Sequence, residues 1–337
     1  MKKLVLILLI ATGMMACQNF DIDHPDFDYT SGYFPYQFPV RTLVLGDYIY
    51  DNSNDNDHKF VISVAMGGVY ENTQNREFGI EVDESLCNRV LFSADGDTIH
   101  ALPSNYYTLS DNNNIVIPAG KFNGGVEVQL TDAFFNDPLA IKNTYVVPVR
   151  ITGSADVDTI LVGQSDNPNA DPRVAGQWIV APKDFTMFAV KYINEFHGTY
   201  FHYGSSSVKN AANAVVENTT YSEKYVENNS TSKLVTTGRN EVSLSMFLRS
   251  EVMTGEVNMV LTFNGNNCTI TATEGSPYTI SGTGVFKSKE YAWGNKERDG
   301  IDLGFSVSDG EHTYEATDVL VARDRGVVLE TYSPEVY

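Results

Sequence analysis

Residues 300–322 read GIDLGFSVSDGEHTYEATDVLVA, and apolar side chains alternate with polar ones on both sides of the turn sequence SDGE. Such alternation is typical of a β-strand with one buried face, because successive side chains of a strand point to opposite faces. The Asp-Gly pair between the two runs favours a tight turn. The stretch therefore predicts two antiparallel strands joined as a hairpin.

Four further segments of the C-terminal half show the same pattern and are separated by similar turn signals. Consecutive hairpins of similar length predict an up-and-down barrel or a second sandwich. Gly198-Thr199-Tyr200 and the near-terminal VLETY (328–332) favour an antiparallel barrel of the lipocalin-like kind. The four segments are EVSLSMFLR (241–249), EVNMVLTFNGNNCTITATE (256–274), YTISGTGVFKSK (278–289) and GVVLETY (326–332).

Residues 31–165 predict an N-terminal, Ig-like β-sandwich, because they contain roughly six to eight short apolar runs between Asn, Asp and Gly turns. Residues 41–70 hold two β-branched runs around a polar loop, which is the pattern of a hairpin. Pro148 has no amide proton, so we expect its strand at a sheet edge or at a bulge.

A linker is predicted where proline, glycine, Asn and Asp concentrate, at 163–176, and we place it at 166–183. Apolar residues then recur at helical spacing, and Asp184 can cap the start. The pattern predicts one short helix at the junction, so that 184–337 forms a helix plus a β-barrel domain. The residues at this spacing are Phe185, Phe188, Ala189, Tyr192 and Ile193.

The chain begins with two lysines and a short apolar run that stops at Cys17. The run is too short for a membrane-spanning helix, which needs roughly 20 apolar residues, and its order is that of a secretory signal. The sequence MMAC (14–17) resembles a bacterial lipobox, in which the cysteine is lipidated. We therefore predict a lipoprotein signal peptide over 1–16, a lipid on Cys17 and a tether over 17–30. A plain cleaved signal with an incidental cysteine is the alternative.

Acidic residues outnumber basic ones by 43 to 23, and loss of the signal's two lysines takes the net charge from −20 to −22. A field of this sign repels phosphate backbones, so we expect no nucleic-acid partner. It also repels anionic membranes, so the lipid must supply the anchoring. Beyond Cys17 only Cys87 and Cys268 remain. We therefore expect two free thiols and no disulfide framework.

The sequence contains no G-x-S-x-G, H-E-x-x-H, Walker-loop or dinucleotide-binding motif. We therefore predict no catalytic residue, no metal and no cofactor, with an enzyme whose site is unrecognised as a further interpretation. The segment DNSNDNDH (51–58) offers carboxylates for calcium but lacks the Gly and Glu of an EF-hand loop, so it is also interpreted as a polar turn. DTI at 97–99 and 158–160 resembles a short O-glycosylation motif, or arises by chance.

One stretch, KSKEYAWGNKERDG (287–300), combines aromatic rings with charges. Its two rings lie two residues apart and share a strand face. Sugars present C–H faces to rings and hydroxyls to carboxylate or guanidinium groups, so the pattern predicts ligand contact at the barrel rim. The alternative is that both rings pack inside or against the barrel. The candidate ligand-binding residues are Tyr291, Trp293, Glu297, Arg298 and Asp299.

Four N-terminal segments together resemble the N-terminal domain of unknown function of Bacteroides surface lipoproteins, which also precedes some family-18 endoglycosidases. They are YFPYQFPVRTLVLGD (33–47), LPSNYYTL (102–109), VEVQLTDAFFNDPLA (126–140) and YVVPVRI (145–151). Residues 171–204 resemble the start of a second, uncharacterised domain that is often paired with it.

The resemblance implies a lipid-anchored protein of the outer membrane, facing the cell exterior, in a polysaccharide-utilisation system. We expect non-catalytic binding of a glycan or glycoprotein that serves a neighbouring importer or hydrolase. An adhesion or structural surface protein that binds another protein is the alternative.

Overall fold

The computed structural model of the chain describes residues 27–337. The predicted signal peptide, Cys17 and the tether up to residue 26 lie outside the described residues. Regular structure in the described part is almost entirely β-sheet, apart from the one-turn helices α1 (Ser53–Asn56) and α2 (Asp132–Phe135). Short 3₁₀ segments cover Glu84–Cys87, Ala175–Gln177 and Val226–Asn228.

The strands fall into an N-terminal set, a C-terminal set and two short strands in the tail. The N-terminal strands are β1 (Ser31–Tyr33), β2 (Pro39–Val44), β3 (Lys59–Gly67), β4 (Arg76–Val82), β5 (Val90–Leu91), β6 (His100–Ala101), β7 (Tyr107–Leu109), β8 (Asn114–Ile117), β9 (Asn123–Leu130), β10 (Tyr145–Gly153), β11 (Thr159–Ile160) and β12 (Phe185–Ile193). The C-terminal strands are β13 (Gly198–Asn210), β14 (Val215–Tyr221), β15 (Ser230–Gly238), β16 (Glu241–Phe247), β17 (Glu256–Asn264), β18 (Asn267–Ala272), β19 (Thr279–Trp293), β20 (Lys296–Ser308) and β21 (His312–Asp324). The tail strands are β22 (Glu330–Thr331) and β23 (Glu335–Val336).

Two sheets pack face to face and form the N-terminal sandwich. One has the order β11-β1-β3-β9-β7, and the other has the order β22-β2-β12-β10-β4-β8 with β6 beside β10. Fully buried aromatic residues such as Phe34, Phe78 and Tyr192 fill the space between them. A second apolar cluster, which includes Phe185 and Met187, covers the other face of the second sheet. The predicted sandwich is confirmed.

The predicted hairpin across residues 41–70 is wrong, because β2 and β3 belong to different sheets and the polar segment crosses between them. Asp55 of α1 holds this crossing. Its buried carboxylate pairs with Arg41 and accepts a hydrogen bond from the Val44 amide at 2.9 Å. Among residues 27–337, no group of three or more His, Cys, Asp or Glu side chains is placed to hold a metal ion.

Pro148 lies in β10, a central strand, rather than at the expected edge or bulge. Its strand pairs with β12 on one side, whereas pairing with β4 on the other side ends at Val149 and Val82. The Pro148 carbonyl points to that second side and accepts from the Asp83 amide at 3.0 Å. The missing amide proton would also point there, past the end of β4, so no ladder hydrogen bond is lost.

The predicted helix at the junction is wrong, because residues 185–193 form β12. This strand pairs antiparallel with β10 and parallel with β2. Its alternate side chains enter two different cores: Val190 and Tyr192 face the sandwich interior, and Phe185 and Met187 face the second cluster. A strand covered on both faces reads as a continuous apolar run, in which helical spacing arises by chance.

The tail also returns to the N-terminal sandwich. β22 pairs with β2, and β23 pairs with β5. The segment VLETY (328–332), which supported the barrel prediction, therefore contributes to the first domain instead. The chain enters the barrel after β12 and leaves it before β22. These two points lie side by side, because Thr199 at the start of β13 pairs with Asp324 at the end of β21.

The C-terminal strands form the predicted antiparallel barrel. β13 and β15 to β21 follow one another around it, and pairing of β13 with β21 closes the ring. β14 extends the sheet as a flap beside residues 204–209 of β13. Interior positions are filled by side chains such as Leu244, Met259 and Leu320. Cys87 and Cys268 are free thiols, one in each half of the chain.

Arg325 links the two domains at the end of the barrel where β13 begins and β21 ends. Arg325 donates hydrogen bonds to the carbonyls of Leu45 and Asp47, both at 2.9 Å, and to the carbonyl of Asn194 at 2.5 Å. No helix within residues 27–337 has the length and apolar character needed to cross a membrane.

Candidate functional site

The hairpin of β19 and β20 carries the predicted ligand-binding residues. Tyr291 lies opposite Arg298, and Trp293 lies opposite Lys296. Just before this pairing, three residues of β19 stand opposite Asp299 alone, so the strand bulges. The Asp299 carboxylate stabilises the bulge by accepting bonds from the Lys289 amide at 2.9 Å and the Ser288 hydroxyl at 3.1 Å.

Trp293 lies on the outer face of the barrel wall. Its ring meets Phe201 edge-on at 5.1 Å, and Phe201 faces outward because its neighbour Tyr200 faces the barrel interior. The indole Nε1 donates to the Ala322 carbonyl at 2.8 Å. The Arg298 guanidinium lies 4.2 Å from the ring centroid, which is within cation–π range.

Tyr291 lies on the same outer face. Its ring covers Gly300, where a Cβ atom would come within 2.4 Å of the ring, and its hydroxyl donates to the Asp302 carboxylate. Burial, with the hydrogen bond to Asp302, raises the pKa of Tyr291. Tyr203 lies in the same cross-strand row as Asp302, because both residues are register partners of Val319.

The structure thus brings together three of the five candidates, Tyr291, Trp293 and Arg298. Asp299 is directed into the bulge, and Glu297 is exposed on the returning strand opposite Ala292. The rings contact the outside of the barrel rather than its mouth. Their role in ligand binding stays a prediction.

A polar trough lies on the outer face of the same wall, where β14, β13 and β21 run side by side. Its volume is about 360 Å³. Ser206 and Ala316 are buried toward the interior, so the residues on either side of them project outward. The trough is lined by Ser205, Ser206, Ser207, Asn218, Thr219, Thr220, Glu315, Ala316 and Thr317.

No sequence pattern indicates this trough, because serines and threonines on exposed strand faces are ordinary. It arises only when three strands align the small polar side chains, with Ser206 opposite both Thr219 and Ala316. Tyr203 lies two residues before Ser205 on the same strand face, between the trough and Tyr291.

A second polar group, which we call the Ser-His-Asp network, lies inside the barrel. His202 and Asp318 are almost completely buried, and His202 Nε2 lies 2.7 Å from an oxygen of Asp318. His202 Nδ1 lies 2.7 Å from the Ser232 hydroxyl. Tyr221 donates to the other oxygen of Asp318. The two partners of His202 lie 30 and 116 residues away in the sequence, so no local motif indicates this network.

Family models match both halves of the chain. Residues 27–158 match a model described as an N-terminal domain, and residues 195–326 match a domain of unknown function, DUF5627. The second match begins just after β12 and covers the barrel. No curated protein matches the chain.

A solved Bacteroides ovatus protein of unknown function is 33% identical to this chain. The alignment covers 92% of this chain and 100% of that one, with a TM-score of 0.85. A multidomain Bacteroides ovatus protein that includes DUF1735 is 14% identical, with 87% and 94% covered and a TM-score of 0.42. A Bacteroides ovatus protein suggested to bind carbohydrate is 12% identical, with 89% and 97% covered and a TM-score of 0.30. The last two likenesses are too distant to carry a functional argument.

Proposed function

This chain belongs to the family of the Bacteroides ovatus protein of unknown function that it matches along its length, and we propose that it binds a glycan, or the glycan of a glycoprotein, without transforming it. In this proposal the protein is held at the outer membrane by a lipid on Cys17, faces the exterior and passes its ligand to a neighbouring importer or hydrolase. The lipobox-like start of the chain supports the anchor.

The observation that carries the binding proposal is the polar trough. Its outward side chains are hydroxyls, one amide and the Glu315 carboxylate, so the trough offers both donors and acceptors. Sugar hydroxyls need both. Glu315 is held by Lys209, whose ammonium lies 2.7 Å from its carboxylate, so the surface charge of the trough is partly neutralised.

The aromatic edge supports the same ligand class. Tyr203, Tyr291 and Trp293 lie on the outer wall of the barrel, between the trough and the end of the barrel where β13 begins. Aromatic surface beside hydrogen-bonding groups suits a sugar, which has apolar C–H faces and polar edges. A glycan of several residues could therefore lie along β13, with hydroxyls in the trough and one ring near Tyr203.

A steric block tests this proposal. Ser205→Tyr places a bulky ring in the trough at an exposed strand position, where tyrosine is well tolerated. Thr271→Tyr is the matched control, because Thr271 is exposed on β18, on the opposite side of the barrel. The measurement is binding of residues 18–337 to a glycan array, with melting curves for each variant.

We expect wild type and Thr271→Tyr to bind the same glycans, and Ser205→Tyr to lose at least tenfold in affinity at an unchanged melting temperature. Absence of any glycan binding by the folded wild type would overturn the proposed function. Equal binding by both variants would show that the trough is not the site.

A further inference from the structure

We propose that Ser232 is an activated nucleophile, and that the Ser-His-Asp network gives the barrel an acyl-transfer activity toward carboxylic esters. This site is separate from the trough, because its side chains face the barrel interior. The inference therefore does not depend on the proposed glycan binding.

The contacts of His202 fit the role of a base. An ionised Asp318 carboxylate can only accept, so His202 Nε2 must carry the proton in their 2.7 Å contact. We take the ring to be neutral, so that Nδ1 accepts and the Ser232 hydroxyl donates to it across 2.7 Å. This resembles the arrangement that activates serine nucleophiles, with the two ring nitrogens exchanged, because in that arrangement the carboxylate accepts from Nδ1 and the serine donates to Nε2.

The burial of the three groups also suits this role. Asp318 and His202 are 0% and 1% exposed, whereas Ser232 is partly exposed. The nucleophile is therefore the member of the network that a substrate can reach. Tyr221 donates to the second oxygen of Asp318, and this bond helps to keep the carboxylate directed at His202.

Arg249 supplies a cation beside the network. Its guanidinium lies 4.8 Å from the Tyr221 ring and donates to the Ser230 hydroxyl at 2.8 Å. Its Nε is buried and has no hydrogen-bond partner among the described residues. An unpartnered charged donor in a buried setting is costly, and an anionic intermediate or a carboxylate group of the substrate would satisfy it.

The proposed step is balanced by the groups present and by water. Ser232 Oγ bonds to the ester carbonyl carbon while its proton passes to His202 Nδ1. The alkoxide then leaves with that proton, and an acyl-Ser232 remains. Water then attacks the acyl carbon while one of its protons passes to His202 Nδ1. That proton moves on to Ser232 Oγ as the bond between Oγ and the acyl carbon breaks, so the carboxylic acid is released and both the serine and the neutral histidine are restored. His202 acts as the base, and Asp318 is a positioning residue.

Covalent labelling tests the proposal directly. The full chain is treated with a fluorophosphonate, which forms a phosphonyl–serine bond with activated serines, and the labelled residue is mapped by mass spectrometry. We expect Ser232 to be labelled in the native protein and to lose at least 90% of its label when the chain is unfolded in urea. No label on Ser232, or equal labelling in both states, would overturn the proposal.

Variants separate activity from structure. Ser232→Ala should abolish hydrolysis of p-nitrophenyl acetate. Ser281→Ala removes an exposed hydroxyl that contacts Ser306, and it should leave the hydrolysis unchanged. Asp318→Asn should lower kcat at least 100-fold with little change in KM, because the histidine tautomer is no longer fixed. Unchanged hydrolysis by Ser232→Ala would refute the nucleophile, whether or not Asp318→Asn folds.

Discussion

The contacts of Trp293 predict a large stability cost when its ring is removed. Trp293→Ala deletes the hydrogen bond to the Ala322 carbonyl, the edge-on contact with Phe201 and the stacking of Arg298. These interactions contribute roughly 1 kcal/mol each by their usual magnitudes. We therefore expect the barrel to lose about 3 kcal/mol.

Trp293→Phe is the matched variant. It keeps a ring for Phe201 and Arg298 and loses only the indole donor, so its cost should be about 1 kcal/mol. Thermal unfolding followed by circular dichroism measures both changes. At roughly 4 °C per kcal/mol for a domain of this size, we expect Tm to fall by about 12 °C for Trp293→Ala and about 4 °C for Trp293→Phe.

An unchanged Tm for Trp293→Ala would show that the ring contributes nothing to the stability of the wall and is free for the sugar contact predicted from the sequence. A large loss in both variants would instead place most of the energy in the hydrogen bond to Ala322.

Three other predictions concern pH, the domain junction and the anchor. Burial lowers the pKa of His197 from 6.5 to about 4. As the pH falls, the unfolded chain therefore takes up this proton before the folded chain does, and the free energy of unfolding should fall by about 3 kcal/mol between pH 6.5 and pH 4. Urea titrations across that range should show a shallower loss for His197→Asn. Arg325→Leu leaves three carbonyls without their charged donor, and urea unfolding should show a loss of about 3 kcal/mol in the free energy of unfolding. Arg323→Leu is the control: it removes an exposed ion pair with Asp324 and should cost less than about 1 kcal/mol. Cys17→Ser should abolish acylation, and an acylated species that still enters the detergent phase would contradict the anchor.

Local alternation was sufficient to predict the barrel strands. Residues 300–322 contain most of β20 and β21, with the turn where SDGE predicted it, because each strand has one face in the core and one in solvent. The same rule failed for residues 185–193. That strand has a core on both faces, so its sequence carries no period of two.

Contacts between distant residues could not be predicted in this way. The crossing at residues 51–58 resembled a hairpin loop because nothing local shows that Asp55 reaches back to Arg41 and the Val44 amide. The trough and the Ser-His-Asp network need the register of β13 against β14, β15 and β21. Of the candidate ligand residues, the pairing of Tyr291 with Trp293 on one face followed from their spacing, whereas the bulge that turns Asp299 away did not.

The most direct test of glycan binding is a crystal structure of residues 18–337 with the glycan that binds best on the array. We expect sugar density on the outer face of the barrel, with hydroxyls bonded to Ser205, Ser207 or Thr317 and one sugar ring near Tyr203. Density confined to the N-terminal sandwich, or to the barrel interior beside Ser232, would contradict it.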